Sequence, residues 1–405
     1  MEPIVKYKMP SNWIQYNRQE IFDELATAKA AVMALKTIPF QKRWVEELQK
    51  VQLKMEIAGT SKIEGADFAG NELDVAIKAN TAEELHTRSQ RQAKAAVKTY
   101  KWISTLPDDM PLNEDLICEI HASIVTDCDD DHCEPGAIRP QDKNVTFGVP
   151  RHRGANGGEE CRNAFERLAA EAQTSYRDHD PLIQALAMHY HFAAMHPFLD
   201  GNGRTARALE ALMLQRCGLK DSLFIAMSNY YYDEKRSYLD SLAAVRAQDH
   251  DLTPFLKFGL KGIALQTGRL TGLIREEVSK QLFRNLMHDL FTLLQSTRKR
   301  VIVKRQLTVL ERLLKEDGPM DFSKLSQEMK AEYGTRANPS NALVRDLNRL
   351  ISLGAISIQK KIEESEAKYL IQVNLDWPSK ITDTEFFNQL KQLPKSKTSS
   401  FLSSS

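Results

Sequence analysis

The chain has 405 residues, 42% of them hydrophobic, and its 55 basic against 54 acidic side chains leave a net charge of +1. That length and apolar content can bury a substantial core and predict two or three domains. The near-neutral balance excludes a global pull toward nucleic acid or an anionic membrane, and no stretch approaches the roughly twenty apolar residues of a spanning helix.

Met1 to Lys6 lacks the apolar run of a secretion signal, and the five cysteines (118, 128, 133, 161 and 217) are odd in number and scattered. Both features suit reduced thiols and a cytoplasmic location. The N-terminal helical region, residues 1–105, begins irregularly and becomes helical from Arg18. It contains Thr60-Ser61-Lys62-Ile63-Glu64-Gly65, which alone reads as an exposed helix end capped by Gly65. Pro107 to Pro111 then break the chain near the start of a core spanning 106–265. Cys128 and Cys133, with Asp129 to Asp131 and His132 between them, fit no strong zinc spacing and read as an acidic loop. Gly136 to Arg139 lead into Asn144 to Val149, where β-branched and aromatic residues bounded by Pro140 and Pro150 predict a short hairpin. Leu182, Ile183, Leu186, Tyr190 and Ala193 recur at helical spacing, so His196 falls at a helix C-terminus and Pro197 ends the pattern. His189 and His191, two apart, face different sides of that helix and read as packed side chains.

Residues 196–207, His-Pro-Phe-Leu-Asp-Gly-Asn-Gly-Arg-Thr-Ala-Arg, concentrate the chemistry. An imidazole such as His196 titrates near neutrality and suits a general base. Asp200 offers the hard oxygen that Mg²⁺ accepts beside a nucleotide's phosphates. Gly201 and Gly203 free backbone N–H groups to turn toward an anion. A strong helix-forming run follows to Leu214, and a helix N-terminus is a ready anion site. Arg204 and Arg207, three apart, share a helical face where both can reach one polyphosphate.

At every fixed position this string resembles the His-Pro-Phe-x-Asp-Gly-Asn-Gly-Arg-x-x-Arg signature of the Fic family, whose usual activity transfers AMP from ATP to a protein hydroxyl. The resemblance implies that His196 deprotonates the target Ser, Thr or Tyr and that Asp200 holds Mg²⁺. It implies a nucleotide site made by Gly201, Asn202, Gly203, Arg204, Thr205, Ala206 and Arg207, with Arg207 at the γ-phosphate and Tyr238 near the adenine. The hairpin becomes a flap that docks the target strand through Thr146, Phe147 and Gly148. Thr60, Glu64 and Gly65 match the family's inhibitory Ser/Thr-x-x-x-Glu-Gly motif, N-terminal here (class II), with Glu64 on Arg207. Leu239 and Arg236 depart from the family's usual Tyr and Asn, and Arg151 to Gly158 replace its proline-rich turn.

Asp251-Leu252-Thr253-Pro254 starts the last core helix, with Asp251 and Thr253 as caps. Residues 266–300 form a helical connector ending in Arg298-Lys299-Arg300. Leu307 to Leu314, Asp321 to Met329 and Asn338 to Leu353 predict three helices, the last stopped by Gly354. Ile356 and Ile358, then Tyr369, Ile371 and Val373, alternate around a charged turn. Over 301–378 this resembles a winged helix. Arg345, Asn348 and Arg349 suit DNA, but Asp346 and the acidic turn at Glu363, Glu364 and Glu366 do not, so protein interaction or dimerisation is favoured. Residues 379–405 are expected to be a disordered tail.

The expected fold is therefore mainly α. It has a helical core with a short hairpin flap, an N-terminal helical region carrying the inhibitory helix, and a C-terminal winged-helix-like domain. The expected function is a self-restrained protein adenylyltransferase using ATP and Mg²⁺, acting on a target protein, with a homodimer by family precedent and no membrane partner. Two alternatives use the same residues: Glu64 orients a water that removes AMP from a modified protein, or the core senses nucleotide for a DNA-binding regulator.

Overall fold

The computed structural model describes all residues except 1–3, 39–41, 67, 69–71, 80–83, 129–132, 149, 219–224, 293–296, 335–337, 364–365 and 393–405. It is mainly helical and divides into two compact units, Met1–Thr271 and Gly272–Ser405. No helix among the described residues is long and apolar enough to cross a membrane.

The first unit opens with strand β1 (Val5–Lys6) and helices α1 (Phe22–Thr37), α2 (Lys42–Ile63), α3 (Glu72–Lys78), α4 (Arg88–Ile103) and α5 (Glu114–Val125). Strands β2 (Thr146–Phe147) and β3 (His152–Arg153) precede α6 (Glu159–Gln173), α7 (Pro181–Met195), α8 (Asn202–Arg216), α9 (Met227–Asp233), α10 (Lys235–Ala247) and α11 (Thr253–Thr292), whose residues from Gly272 on belong to the second unit. The centre is α7. Pro181 at its first turn and the Asp180 side chain on the Leu182 N–H (3.0 Å) start it. It is apolar nearly all round, from Leu182 to Met195, so it is buried rather than amphipathic. Helix α8 packs beside it with its own apolar side, including Ala206, Leu209 and Leu212, fully covered. Asp251 caps α11 through the Thr253 N–H (2.8 Å), as its sequence position suggests.

The predicted hairpin is displaced. Its strands are Thr146–Phe147 and His152–Arg153, paired antiparallel with Phe147 opposite His152. Gly148, at φ 73°, and Pro150 lie in the turn between them. Gly136 to Arg139 form no strand: the Gly136 N–H goes to His121, that of Ala137 to the Glu134 carbonyl, and that of Arg139 to the Pro197 carbonyl in the loop after α7. Strand β1 adds in parallel on the other side of β3, Val5 opposite His152, which the sequence reading did not anticipate.

The second unit contains α12 (Thr297–Leu314), β4 (Met320–Asp321), α13 (Phe322–Glu328), α14 (Lys330–Tyr333), α15 (Pro339–Ser352), β5 (Ile356–Glu363), β6 (Glu366–Val373), α16 (Trp377–Lys380) and α17 (Asp383–Gln392). Its sheet runs β4-β6-β5, all antiparallel, with Ile358 opposite Ile371. Leu310, Leu313, Leu347, Ile371, Trp377 and Phe386 belong to one buried cluster. The expected tail is corrected in part: residues up to 392 form α16 and α17, because Trp377 and Phe386 supply apolar anchors that the polar composition masked. Residues 393–405, Asp129 to His132 and Glu364 lie outside the described residues.

Candidate active site

Helix α7 ends at His196, which takes a left-handed backbone (φ 52°), unusual outside glycine. The chain then turns through Pro197 to Gly201 and restarts as α8 at Asn202. The Asn202 amide closes this turn on both sides: Oδ1 accepts from the Phe198 N–H (2.9 Å) and Nδ2 donates to the Phe198 carbonyl (2.8 Å). Its side chain is thus spent on the loop. Gly201, at φ 74°, has no room for a side chain, since a Cβ would stand 2.6 Å from Val125 Cγ1.

Two residues brace the loop that the site assignment from sequence did not include. Arg139, 1% exposed, donates to the carbonyls of His196 (2.7 Å), Lys143 (2.6 Å) and Ala155 (2.6 Å). His121 on α5 accepts from the Gly136 N–H through Nδ1 (2.9 Å). That leaves its proton on Nε2, which donates to the Asp200 carbonyl (3.0 Å), while its ring stacks on Phe198 at 3.6 Å. The roles of Arg139 and His121 carry no sequence signature, because most of the carbonyls they serve are distant in the chain.

The His196 ring is oriented by its own helix. Nδ1 lies 2.5 Å from the Ala193 carbonyl and must carry the proton there, which leaves Nε2 as the basic nitrogen. Burial pushes its pKa down to about 4, with Arg139 and Arg246 adding to the effect and the Ala193 bond and Glu64 opposing it. The imidazole is therefore neutral at pH 7. Phe147 of β2 stacks on it at 3.5 Å and 10°, so the short sheet is folded directly over the base, with Thr146 beside it and Gly148 at the turn.

At the other end of the loop, α8 presents its first-turn N–H groups. The Gly201 N–H is already taken by Asp200 Oδ1 (2.5 Å), and that of Thr205 by the Gly201 carbonyl (2.9 Å). Thr205 and Ala206 are buried within the helix, with the Thr205 hydroxyl also on the Gly201 carbonyl (2.9 Å). A Cβ on Gly203 would meet Glu64 Oε1 at 2.5 Å. The Glu64 carboxylate thus lies against the start of α8.

Glu64 reaches there because Gly65 (φ 89°) ends α2 with paired turn bonds, Gly65 N–H to Lys62 (3.1 Å) and Ala66 N–H to Ser61 (3.0 Å). It pairs with Arg207 at 2.5 Å, and Arg207 Nε donates to the Thr60 hydroxyl (2.8 Å). Arg207 is 3% exposed, whereas the Glu64 side chain is 39% exposed and can be displaced from the solvent side. Burial would raise the Glu64 pKa, but the Arg207 charge and hydrogen bond, with Arg204 and His196, hold it below the usual carboxylate value. Arg204 is buried and turns the other way, toward Asp200 (3.5 Å) and the Ile124 carbonyl (3.4 Å). Asp200, one-third exposed, also meets Arg88 of α4 at 3.4 Å. A single outward carboxylate beside a phosphate seat fits Mg²⁺, which takes one or two carboxylates plus phosphate oxygens.

Tyr238 lies on α10 beside Arg207. It is 4% exposed, stacks on Tyr231 at 4.6 Å and bonds His189 Nε2 (2.8 Å), so its ring is taken up in packing behind Arg207 rather than open to a base. His189 also contacts Glu210, and His191 turns the opposite way to the Trp13 carbonyl (2.6 Å), so both are structural as their spacing implied.

A neutral imidazole, a loop carrying one carboxylate and a helix start whose arginine is held by a glutamate meet in this mainly helical protein. Residues 111–214 match the Fic/DOC family. Among curated proteins, it is 32% identical over 96 residues to protein adenylyltransferase fic-1 of Caenorhabditis briggsae, covering 24% of this chain and 17% of that protein. It is 28% identical over 203 residues to protein adenylyltransferase Fic of Drosophila ananassae, covering 45% of this chain and 37% of the relative. Among solved structures, a Fic family protein from Desulfovibrio desulfuricans G20 aligns with TM-score 0.53 at 19% identity, over 90% of this chain and 98% of that one. The Fic-1 fragment 134–508 from C. elegans aligns with TM-score 0.51 at 20% identity, over 63% and 74%. At such identities the structures testify to the fold alone.

Proposed function

We propose that this protein is an autoinhibited protein adenylyltransferase. The nucleotide's triphosphate binds at the start of α8, against the backbone at Gly203 and the guanidinium of Arg207. Arg204 holds Asp200, and Asp200 would hold Mg²⁺, which when bound offsets phosphate charge. His196 Nε2 takes the proton of a target Ser, Thr or Tyr hydroxyl. The resulting oxygen attacks the α-phosphorus in line, and the bond to pyrophosphate breaks. A target strand registers on the flap, and Phe147 must shift from the His196 ring to admit the hydroxyl.

The observation that carries this reading is the contact of Glu64 with both Arg207 and the Gly203 position. A carboxylate seated where a phosphate would sit repels that phosphate and occupies its donor. The test uses α-labelled ATP with wild type, Glu64→Gly and His196→Ala. Transfer to protein, including the enzyme itself, is expected to rise in the first variant and vanish in the second. Equal labelling in all three would remove the mechanism.

The exposure of Glu64 favours one further reading, in which the carboxylate orients a water that releases AMP from a modified protein. Loss of AMP from such a protein only when Glu64 is present would select it. For the second unit we keep the winged-helix-like reading with protein interaction or dimerisation. The inward Asp346 removes one objection to DNA, but the hairpin's acidic residues remain. Cytoplasmic location belongs to the same proposal.

A further inference from the structure

Helix α2 carries more than its terminal glutamate. Glu56, Thr60 and Glu64 recur every fourth residue and share one face of the helix. Glu56 is 1% exposed and is held by neutral donors. Its Oε2 accepts from the Ser228 N–H (2.8 Å), and Oε1 accepts from the Tyr100 hydroxyl (2.9 Å) and from the Ser228 hydroxyl. Ser228 lies in the first turn of α9, so the carboxylate caps that helix. One turn along α2, a Cβ on Gly59 would fall 2.4 Å from the Ser228 carbonyl carbon, so the two backbones touch. At the end of α2, Lys235 donates to the Ile63 carbonyl (3.0 Å). The other charged groups acting on this cluster are Glu210 and Arg207 of α8.

A buried carboxylate without a cation costs more than a neutral or apolar side chain would at the same place. Burial and Glu210 push the Glu56 pKa up to about 7, against its bonds to Ser228 and Tyr100. Packing alone does not explain such a group. We propose that Glu56 is the positioning residue of the brake: its clamp on Ser228 seats α2 against α9 so that Glu64 stays on Arg207, and loosening the clamp opens the phosphate seat. This rests on the reading of Glu64 as the inhibitory group.

The experiment compares the full-length wild type, Glu56→Gln, Ser228→Ala, Glu64→Gly and the Glu56→Gln/Glu64→Gly double variant. Label transfer from α-labelled ATP and ATP affinity by calorimetry are read together. If Glu64→Gly raises transfer, the underlying reading stands. Glu56→Gln and Ser228→Ala are then expected to raise transfer about tenfold, the effect of losing one hydrogen bond to a charged group on a two-state balance. ATP affinity should rise in parallel, and Glu56→Gln should add nothing once Glu64 is gone. Wild-type transfer in both clamp variants, or an equal gain in the Glu64→Gly background, would overturn the proposal while leaving the brake intact. Ser228→Ala keeps the backbone donor and decides the matter if Glu56→Gln fails to fold. No rise in Glu64→Gly itself would sink the brake and this inference together.

Discussion

His196 owes its protonation state to burial and its orientation to one carbonyl. With a pKa near 4, it is neutral above pH 5, and protonation through the range around 4 removes the basic nitrogen. The depressed value places the loss of activity on the acid side. Transfer by the Glu64→Gly variant is therefore expected to stay flat from pH 6 to 8 and to fall as pH drops toward 4, measured as initial rates of labelling. A midpoint near 6.5 would mean that the ring is solvated during the reaction. The pairing of Glu64 with Arg207 sets the size of the other effect. Breaking a fully buried pair costs about 3–5 kcal/mol, and a hundredfold population change needs about 2.8 kcal/mol. Since Glu64 is partly exposed, activation of about ten- to a hundredfold is expected on its removal.

At the scale of elements, the loop between α7 and α8 is rigid because its carbonyls are individually held. Arg139 holds the His196 carbonyl and ties it to the Lys143 and Ala155 carbonyls around the flap, and His121 holds the Asp200 carbonyl. Arg139→Met would leave three acceptors without this donor, the Ala155 carbonyl in a fully buried place, so a loss of about 2–3 kcal/mol is expected, read as a lower thermal midpoint. In the Glu64→Gly background the same substitution is expected to cut labelling at least tenfold, because the turn that carries His196 loses its anchor. The flap follows the same logic. Its strands are two residues long and lean on β1 and on the His196 ring, so local alternation alone did not reveal which residues pair.

For the whole molecule, two units imply two cores, and the second has its own buried ion pair. Asp346 is fully buried and accepts from Arg305 (3.0 Å) and the Tyr333 hydroxyl (3.0 Å). Asp346→Ala leaves Arg305 charged and unpaired, so about 3–5 kcal/mol is expected to be lost from the second unit. Calorimetry should show that transition lowered while the first unit's transition and label transfer persist. A uniform drop in both transitions would show that the units melt as one. The inward turn of Asp346 also changes the surface of α15, whose outer side carries Asn341, Arg345 and Asn348. The sequence alone had placed the acid among those residues.

Much of the site was legible in residues 196–207, since a phosphate loop needs glycines, a helix start and arginines in one contiguous stretch, and contiguity is what a sequence displays. The helical character of the chain, the end of α7 at His196 and the motif around Glu64 were legible for the same reason: each is a local pattern with a local cause. The tertiary structure decided what depends on groups distant in the chain. It assigned Arg207 to Glu64 and Thr60, packed Tyr238 against Tyr231, closed the loop through the Asn202 side chain, and brought Arg139, His121 and Glu56 into service. A buried polar side chain is defined by the partner that satisfies it, and only folding chooses that partner.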